Sequence, residues 1–525
     1  MDWNSERRLR HLLDAGSACL RSGLKGLEKE SLRVTAGGRI AQSPHPRALG
    51  SALTHPQITT DYSEALIELI TPPFDDTGAT AAALSDIHAF VHAHLGGELL
   101  WAASMPCEIG DDAEIPIARY GSSNIGRMKH VYRVGLDHRY GRRMQAIAGV
   151  HFNYSLPESL WPALHDALGA GASRRDFISS TYFALIRNFL RLAWLVPYLF
   201  GTSPALCKSF VTGRAGRFQE FDATTLYLPH ATSLRMSDIG YKNKNQAVLN
   251  VSYDSLDSYV DSLVHAIRTP YPEYEAIGVI GTHGYRQLNT NILQIENEFY
   301  SFVRPKQTTA SGEKPSTALR ERGVQYVEIR ALDVNPFEPT GVGEDDLRFI
   351  EAFLLYCLAL DSPPISAEER RIIGDNELRV ALRGREPGIE LQDAGRWRRL
   401  QEWAGAILEV MEPICAVLDA GLTQRPYGRA LAAQREKLRE PHGLPSARVL
   451  RRMRERGDAF AAFALDLSRA HRDTCRRRTL APEPLARFQA MAAESLQAQA
   501  AIEAADTIDF ESYLRAYFGA DAPAA

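Results

Sequence analysis

The chain has 525 residues, 45% of them hydrophobic and 24% charged, with a formal net charge of -4 at pH 7 and a sequence pI of about 6.5. That is an ordinary globular composition, long enough for about two to four compact units or one large core with elaborations. It makes no electrostatic case for binding nucleic acid or an anionic membrane. The opening stretch, MDWNSERRLRHLLDAG, lacks the apolar run of a secretory signal. The most hydrophobic run, FLRLAWLVPYLFG, is too short to span a bilayer and is broken by Arg191 and Pro197. The six cysteines lie far apart with no C-x-x-C pair, so their spacing gives neither a zinc site nor a disulfide framework. A soluble cytoplasmic protein with reduced thiols is expected.

In chain order, GLEKESLRV (26–34) reads as a strand. Leu27, Lys29, Ser31 and Arg33 take one face, and Glu28, Glu30, Leu32 and Val34 the other. Burying even one unpaired carboxylate costs several kcal/mol, roughly, so something cationic belongs beside that pair. TTDYSEALIELIT (59–71) places Asp61, Glu64 and Glu68 on one face at helical spacing, and Glu64 and Glu68 also at strand spacing. Helices are predicted over 78–96 and 174–195. His88 and His92 stand at i and i+4 in the first, a spacing that binds metal, but with no acid nearby they read as a solvated face. RYGSSNIGR (119–127) reads as a mobile loop.

GVHFNYSL (149–156) puts His151, Asn153 and Ser155 on one strand face. TNILQIENEFY (290–300) reads as a strand that collects Gln294, Glu296, Glu298 and Tyr300. RPKQTTASGEKPSTA (304–318) is a second mobile loop, expected to close over a nucleotide. In VQYVEIRALD (324–333), Val327, Ile329 and Ala331 pack inward, opposite Tyr326, Glu328 and Arg330. Beyond about residue 365 the chain is Arg-, Ala-, Leu- and Glu-rich and reads as helical, with a frayed end at FGADAPAA. No internal repeat is apparent.

Each strand thus pairs an apolar face with one carrying acids plus His, Arg or Tyr. One reading is a half-exposed sheet with a solvated polar face. The other is a divalent metal site, since lysine is rare on these faces and hard oxygen ligands in excess suit Mg²⁺ or Mn²⁺ beside phosphate. Arg133, Arg235, Arg304, Lys306 and Arg330 adjoin the acidic stretches. They are either structural ion-pair partners or the cations that phosphoryl transfer needs. No phosphate loop, G-x-G-x-x-G or H-E-x-x-H motif occurs.

Several segments in order resemble the proteobacterial type of glutamate–cysteine ligase: GLEKESLRV, ALGSALTHPQITTDYSEALIELITP, SMPC, YGSSNIGRMKHVYRVGL, MQAIAGVHFNYSLP, YLFGTSPA, YLPHATSLRMSDIGY, LQIENEFYSFVRPK and YVEIRALDVNPFEPTGV. The resemblance spans roughly residues 20 to 345. It implies an α+β fold related to glutamine synthetase, with a curved antiparallel sheet forming a funnel-shaped site, surrounded by helices. The expected division is a catalytic core over 1–355 and a mainly helical region over 356–525 packed on it.

The implied activity is ATP-dependent joining of L-glutamate to L-cysteine through γ-glutamyl phosphate, the first step of glutathione synthesis. Carried over residue by residue, Glu28, Glu30, Asp61, Glu68, His151 and Glu328 form the metal set, for Mg²⁺ or Mn²⁺. Arg330 and Arg133 are the catalytic cations, and Arg235 takes a substrate carboxylate. Tyr62, Tyr132, Leu136, Gln145, Tyr241 and Tyr300 form the cysteine pocket, and Arg304 and Lys306 contact nucleotide. A monomer under feedback inhibition by glutathione is implied too. Two alternatives stand beside this: a related ligase with another amine acceptor, and a nucleotide-binding regulatory protein with a degenerate site.

Overall fold

The computed structural model describes residues 3–169, 171–211, 215–240, 249–310 and 312–519; Tyr241 and the last residues of the expected frayed end lie outside these. Its centre is an open, wholly antiparallel sheet of seven strands: β1 (Leu24–Val34), β2 (Ile58–Thr60), β3 (Leu66–Ile70), β4 (Leu99–Leu100), β5 (Gly149–Ser155), β6 (Val303–Lys306) and β7 (Tyr326–Asp333). Their order is β6-β7-β5-β1-β3-β2, with β4 paired to the end of β1. The α+β class and the antiparallel sheet match expectation.

Register decides which side chains meet. Glu28 stands opposite His151 and Glu30 opposite Glu68, while Glu328 lies between Asn153 and Arg304 on its two neighbours. Cross-strand partners share a face, so residues far apart in sequence form one polar row. Between β7 and β5 the pairing slips by one residue between Ile329 and Leu332, a bulge at Arg330 and Ala331. Bulges re-aim side chains and concentrate beside active sites.

Neither face of β1 is solvated. Leu27, Lys29, Ser31 and Arg33 are buried, and so is Glu30. The helix Thr77–His94 packs on β1 and β3, and Arg174–Leu192 on β6 and β7. The helix Glu344–Ala359 is buried along every side from Leu347 onward, as expected of a helix apolar all round. It crosses residue 355, and one hydrophobic core runs from Leu9 through to Phe488. From Ala367 to Phe518 the chain is helical apart from the hairpin Glu390–Asp393 and Arg396–Arg399. Among the described residues no helix is long and apolar enough to cross a membrane.

Three expectations fail on local structure. Residues 290–300 form no strand, only a short 3-10 turn at Glu296–Glu298. Glu298 is instead buried against Arg139 at 3.0 Å, and Glu296 accepts from the Ser316 amide at the start of the helix Pro315–Arg322. Of the expected loop 119–127, Asn124–Arg127 are the first turn of the helix Asn124–Tyr140, capped by Ser123. That segment is tied down from the far end of the chain: the Ser122 amide donates to Glu503 at 2.9 Å and the Asn124 amide to Asp506 at 2.5 Å. Of 304–318, residues 304–306 belong to β6 and residues 315–318 to the following helix.

Candidate active site

The acids of β1 and β3 gather around one imidazole. His151 Nδ1 lies 3.3 Å from Glu28 Oε2 and 3.5 Å from Glu328 Oε1, and its Nε2 lies 3.6 Å from Glu30 Oε1. Glu28 also accepts from Asn153 at 2.8 Å, and Glu30 from the Gly149 amide at 2.6 Å. Among the described residues Glu68 has no ion pair. Burial, and then Glu28, Asp61 and Glu30 around it, hold its carboxyl well above the ordinary range. Burial raises Glu30 as well, with His151 pulling the other way.

Glu328 is the opposite case. Burial acts upward on it, but Lys306 at 3.2 Å and Arg330 at 3.0 Å, with His151, hold it well below the ordinary range. The acids therefore divide. Glu328 carries the cations, and Glu28, pushed up by burial and by Glu328, is held below its ordinary value by His151 and Lys306, whereas Glu30 and Glu68 are raised beside the same histidine.

This donor set fits a hard divalent cation. One ligand atom each from Glu28, Glu68 and His151 lies within 4.8 Å of the other two. The His151 Nε2 is buried with no hydrogen-bond partner. Oxygen donors with one imidazole suit Mg²⁺ or Mn²⁺ better than softer ions.

Beside the acids lies a cleft. Glu30, Asp61, Arg133 and Arg330 line its charged side, and Tyr62, Tyr132, Leu136, Gln145 and Tyr300 line the rest together with Met144, Ile147 and Asn297. Tyr300 and Gln145 are hydrogen-bonded at 2.8 Å. Arg133 donates to the Asp61 carbonyl and lies 4.7 Å from the centre of the Tyr120 ring. Nine of the residues singled out in the sequence thus meet in one place.

The sequence model of the family described as glutamate-cysteine ligase matches residues 9–380. A protein named glutamate–cysteine ligase from Azotobacter vinelandii is 53% identical over 506 residues, covering 96% of each chain. One from Pseudomonas aeruginosa is 53% identical over 494 residues, 94% of each chain. The chain belongs to the glutamate–cysteine ligase family. The solved glutamate–cysteine ligase of Francisella tularensis in complex with AMP superposes with a TM-score of 0.89 at 36% identity, covering 95% of this chain and 97% of that one. A bifunctional glutathione synthetase from Pasteurella multocida superposes with a TM-score of 0.69 at 25% identity, covering 93% of this chain and 57% of that one.

Arg235 and Arg304, given roles in the ligase, and Glu64, grouped only by its spacing, stand elsewhere. Arg235 is fully buried behind β7 and donates to the backbone carbonyls of Arg330 at 2.9 Å and Leu332 at 3.2 Å, flanking the bulge. Gly149 makes room for it, since a Cβ there would meet the guanidinium at 2.0 Å. Arg304 donates to the carbonyls of Asn297 and Phe299. Glu64 staples loops, accepting from the amides of His45 and Arg119 at 2.8 Å each.

Sequence reasoning missed Lys129 and Asn297. Lys129 is near Asp61 and Glu68, and burial, with Arg133 beside it, pushes its ammonium down to about 8. Its signal was present: Lys129, Tyr132, Arg133 and Leu136 are spaced i, i+3, i+4 and i+7, one face of a helix. Asn297 gave no comparable signal, because it lies in the irregular segment misread as a strand.

Proposed function

We propose that this cleft carries out the two steps by which a glutamate–cysteine ligase works. The γ-carboxylate of glutamate attacks the γ-phosphorus of ATP and ADP leaves. The amine of cysteine then attacks the acyl carbon, phosphate leaves, and the amine gives up a proton. Direct condensation of a carboxylate with an amine in water is unfavourable, so the reaction needs the activated intermediate.

Glu28, Glu68 and His151, with Glu30, Asp61 and Glu328, would hold Mg²⁺ or Mn²⁺. When bound, the ion supplies positive charge to the phosphate oxygens. Arg330, fixed by Glu328 and by the bulge, meets charge developing on the transferring phosphoryl group. Arg133 faces it across the cleft. Lys306, at the edge strand and paired with Glu328 at 3.2 Å, stands where it can reach nucleotide phosphate. Arg235 acts from behind, holding the carbonyls around the bulge and so the direction of Arg330. Tyr62, Tyr132, Leu136, Gln145 and Tyr300 surround the cysteine side chain. All six cysteines are unpaired, in keeping with the reducing cytoplasm.

The observation that carries this reading is the convergence of the unbalanced acids, two arginines and the tyrosine-lined recess on one cleft. ADP release measured with glutamate and a panel of amines tests it. Turnover should depend on cysteine. Equal turnover with other amines would point to a different acceptor, and none with any amine to a regulatory protein.

A further inference from the structure

On the side of β1 away from the acids, a second cluster of ligand-type side chains is closed inside the protein. His88 and His92 stand one turn apart on the helix Thr77–His94, each 1% exposed. Cys475 is 5% exposed, near the end of the helix Phe460–Arg477, which packs against the first. One ligand atom from each lies within 4.8 Å of the other two. Both ring nitrogens of His88 and Nδ1 of His92 are buried without a hydrogen-bond partner. Buried polar atoms are nearly always satisfied, so three orphan nitrogens on two neighbouring imidazoles call for a missing partner.

We propose that His88, His92 and Cys475 form a second metal site, for a borderline-soft divalent ion of the zinc class, which ties the helix Thr77–His94 to the helix Phe460–Arg477. Nitrogen and sulfur donors select such an ion over the hard cation suited to the acids on the other side of β1. Tetrahedral zinc brings such donors to within about 3.4–3.6 Å of one another, so modest side-chain movement closes the site.

His471 precedes Cys475 by one turn and shares its side of the helix. Its Nε2 lies 2.8 Å from the Pro336 carbonyl and donates to it, leaving Nδ1 unprotonated. Ligating histidines commonly bond a carbonyl through the other nitrogen in this way. His471 and the buried amine of Lys29 both neighbour the cluster without belonging to the group of three, so a water molecule completes the coordination. The spacing of the cysteines had excluded zinc, but that test sees only cysteines close in sequence. Here the thiol and the imidazoles are almost 400 residues apart.

Co²⁺ added to the chelator-stripped, full-length protein tests the site by absorption. About one equivalent should give the intense visible bands of a tetrahedral site with a near-ultraviolet thiolate-to-metal band, and should raise the unfolding temperature. Glu328→Gln should keep these bands and Cys475→Ser should lose the thiolate band. Cys475→Ala replaces the serine variant if circular dichroism shows the latter misfolded. No thiolate band in the wild-type protein overturns the proposal whatever the variants do. So does a band that survives loss of Cys475 or disappears with Glu328.

Discussion

Strand β1 turns bases to one side and acids to the other, and the two sides are completed differently. On the far side, buried Lys25 meets buried Glu351 at 2.7 Å, and Arg33 meets Glu98 at 2.7 Å. Among the described residues Lys29 pairs with no acid; it donates to the Ser31 hydroxyl near Cys475, and burial pushes it down to about 7. On the cleft side, Glu28, Glu30 and Glu68 share one imidazole between them. Charges that the fold itself neutralises hold the fold together. Charges left in mutual repulsion are those a ligand from outside the chain completes, and the repulsion is tolerated because the ligand relieves it.

The comparison breaks most visibly at Lys25. Lys25→Met strands Glu351 in the core, and removing one partner of a buried pair typically costs about 3–5 kcal/mol. Urea unfolding should show that loss, while kcat of the folded fraction stays near normal. A large fall in kcat would mean that the far side also serves the reaction.

Arg330→Lys reverses the pattern. A guanidinium bridges two phosphoryl oxygens with parallel donors, which an ammonium does not reproduce. Turnover should fall by about 10²-fold or more, with little change in stability and a much smaller change in the KM for glutamate. A rise in KM alone would make Arg330 a residue of ground-state binding.

Glu28→Gln should act through the metal. Activity titrated against Mg²⁺ should need about tenfold more of the ion or fail to reach wild-type turnover, since a direct ligand matters at least as much as the groups behind it. An unchanged Mg²⁺ curve would remove Glu28 from the ligand set. Glu328→Gln is a less clean probe, because Lys306 and Arg330 lose their partner at the same time.

How much of this was readable beforehand depended on where each side chain's partners come from. In β1, β5 and β7 the two-residue alternation fixed which residues share a face, and cross-strand register then carried Glu28, His151 and Glu328 together. The same alternation misled at 290–300, where Glu298 answers to Arg139 and Glu296 to a helix start, both outside the segment. His88 and His92 read as solvated because the helix that covers them arrives almost 400 residues later. The role of Arg235 depended on a bulge, which adds a residue that periodicity does not register. The cysteine pocket followed only from the likeness of whole segments, since tyrosines by themselves name no ligand.

The claim that the cleft acids are held in repulsion for a cation is tested most directly at Glu68, by unfolding the wild type and Glu68→Gln across pH with and without Mg²⁺. Burial and the neighbouring acids raise the Glu68 carboxyl in the folded state, so its contribution to stability is full below its ordinary value of 4.5 and is lost as pH rises through the raised one. Without metal, Glu68→Gln should therefore be the more stable protein at neutral and higher pH, converging with wild type in acid. Mg²⁺ should stabilise wild type more than the variant, and the variant's turnover should fall although its fold is firmer. A Glu68→Gln protein that is less stable without metal at pH 8, gains as much from Mg²⁺ as wild type, and turns over normally would contradict the account.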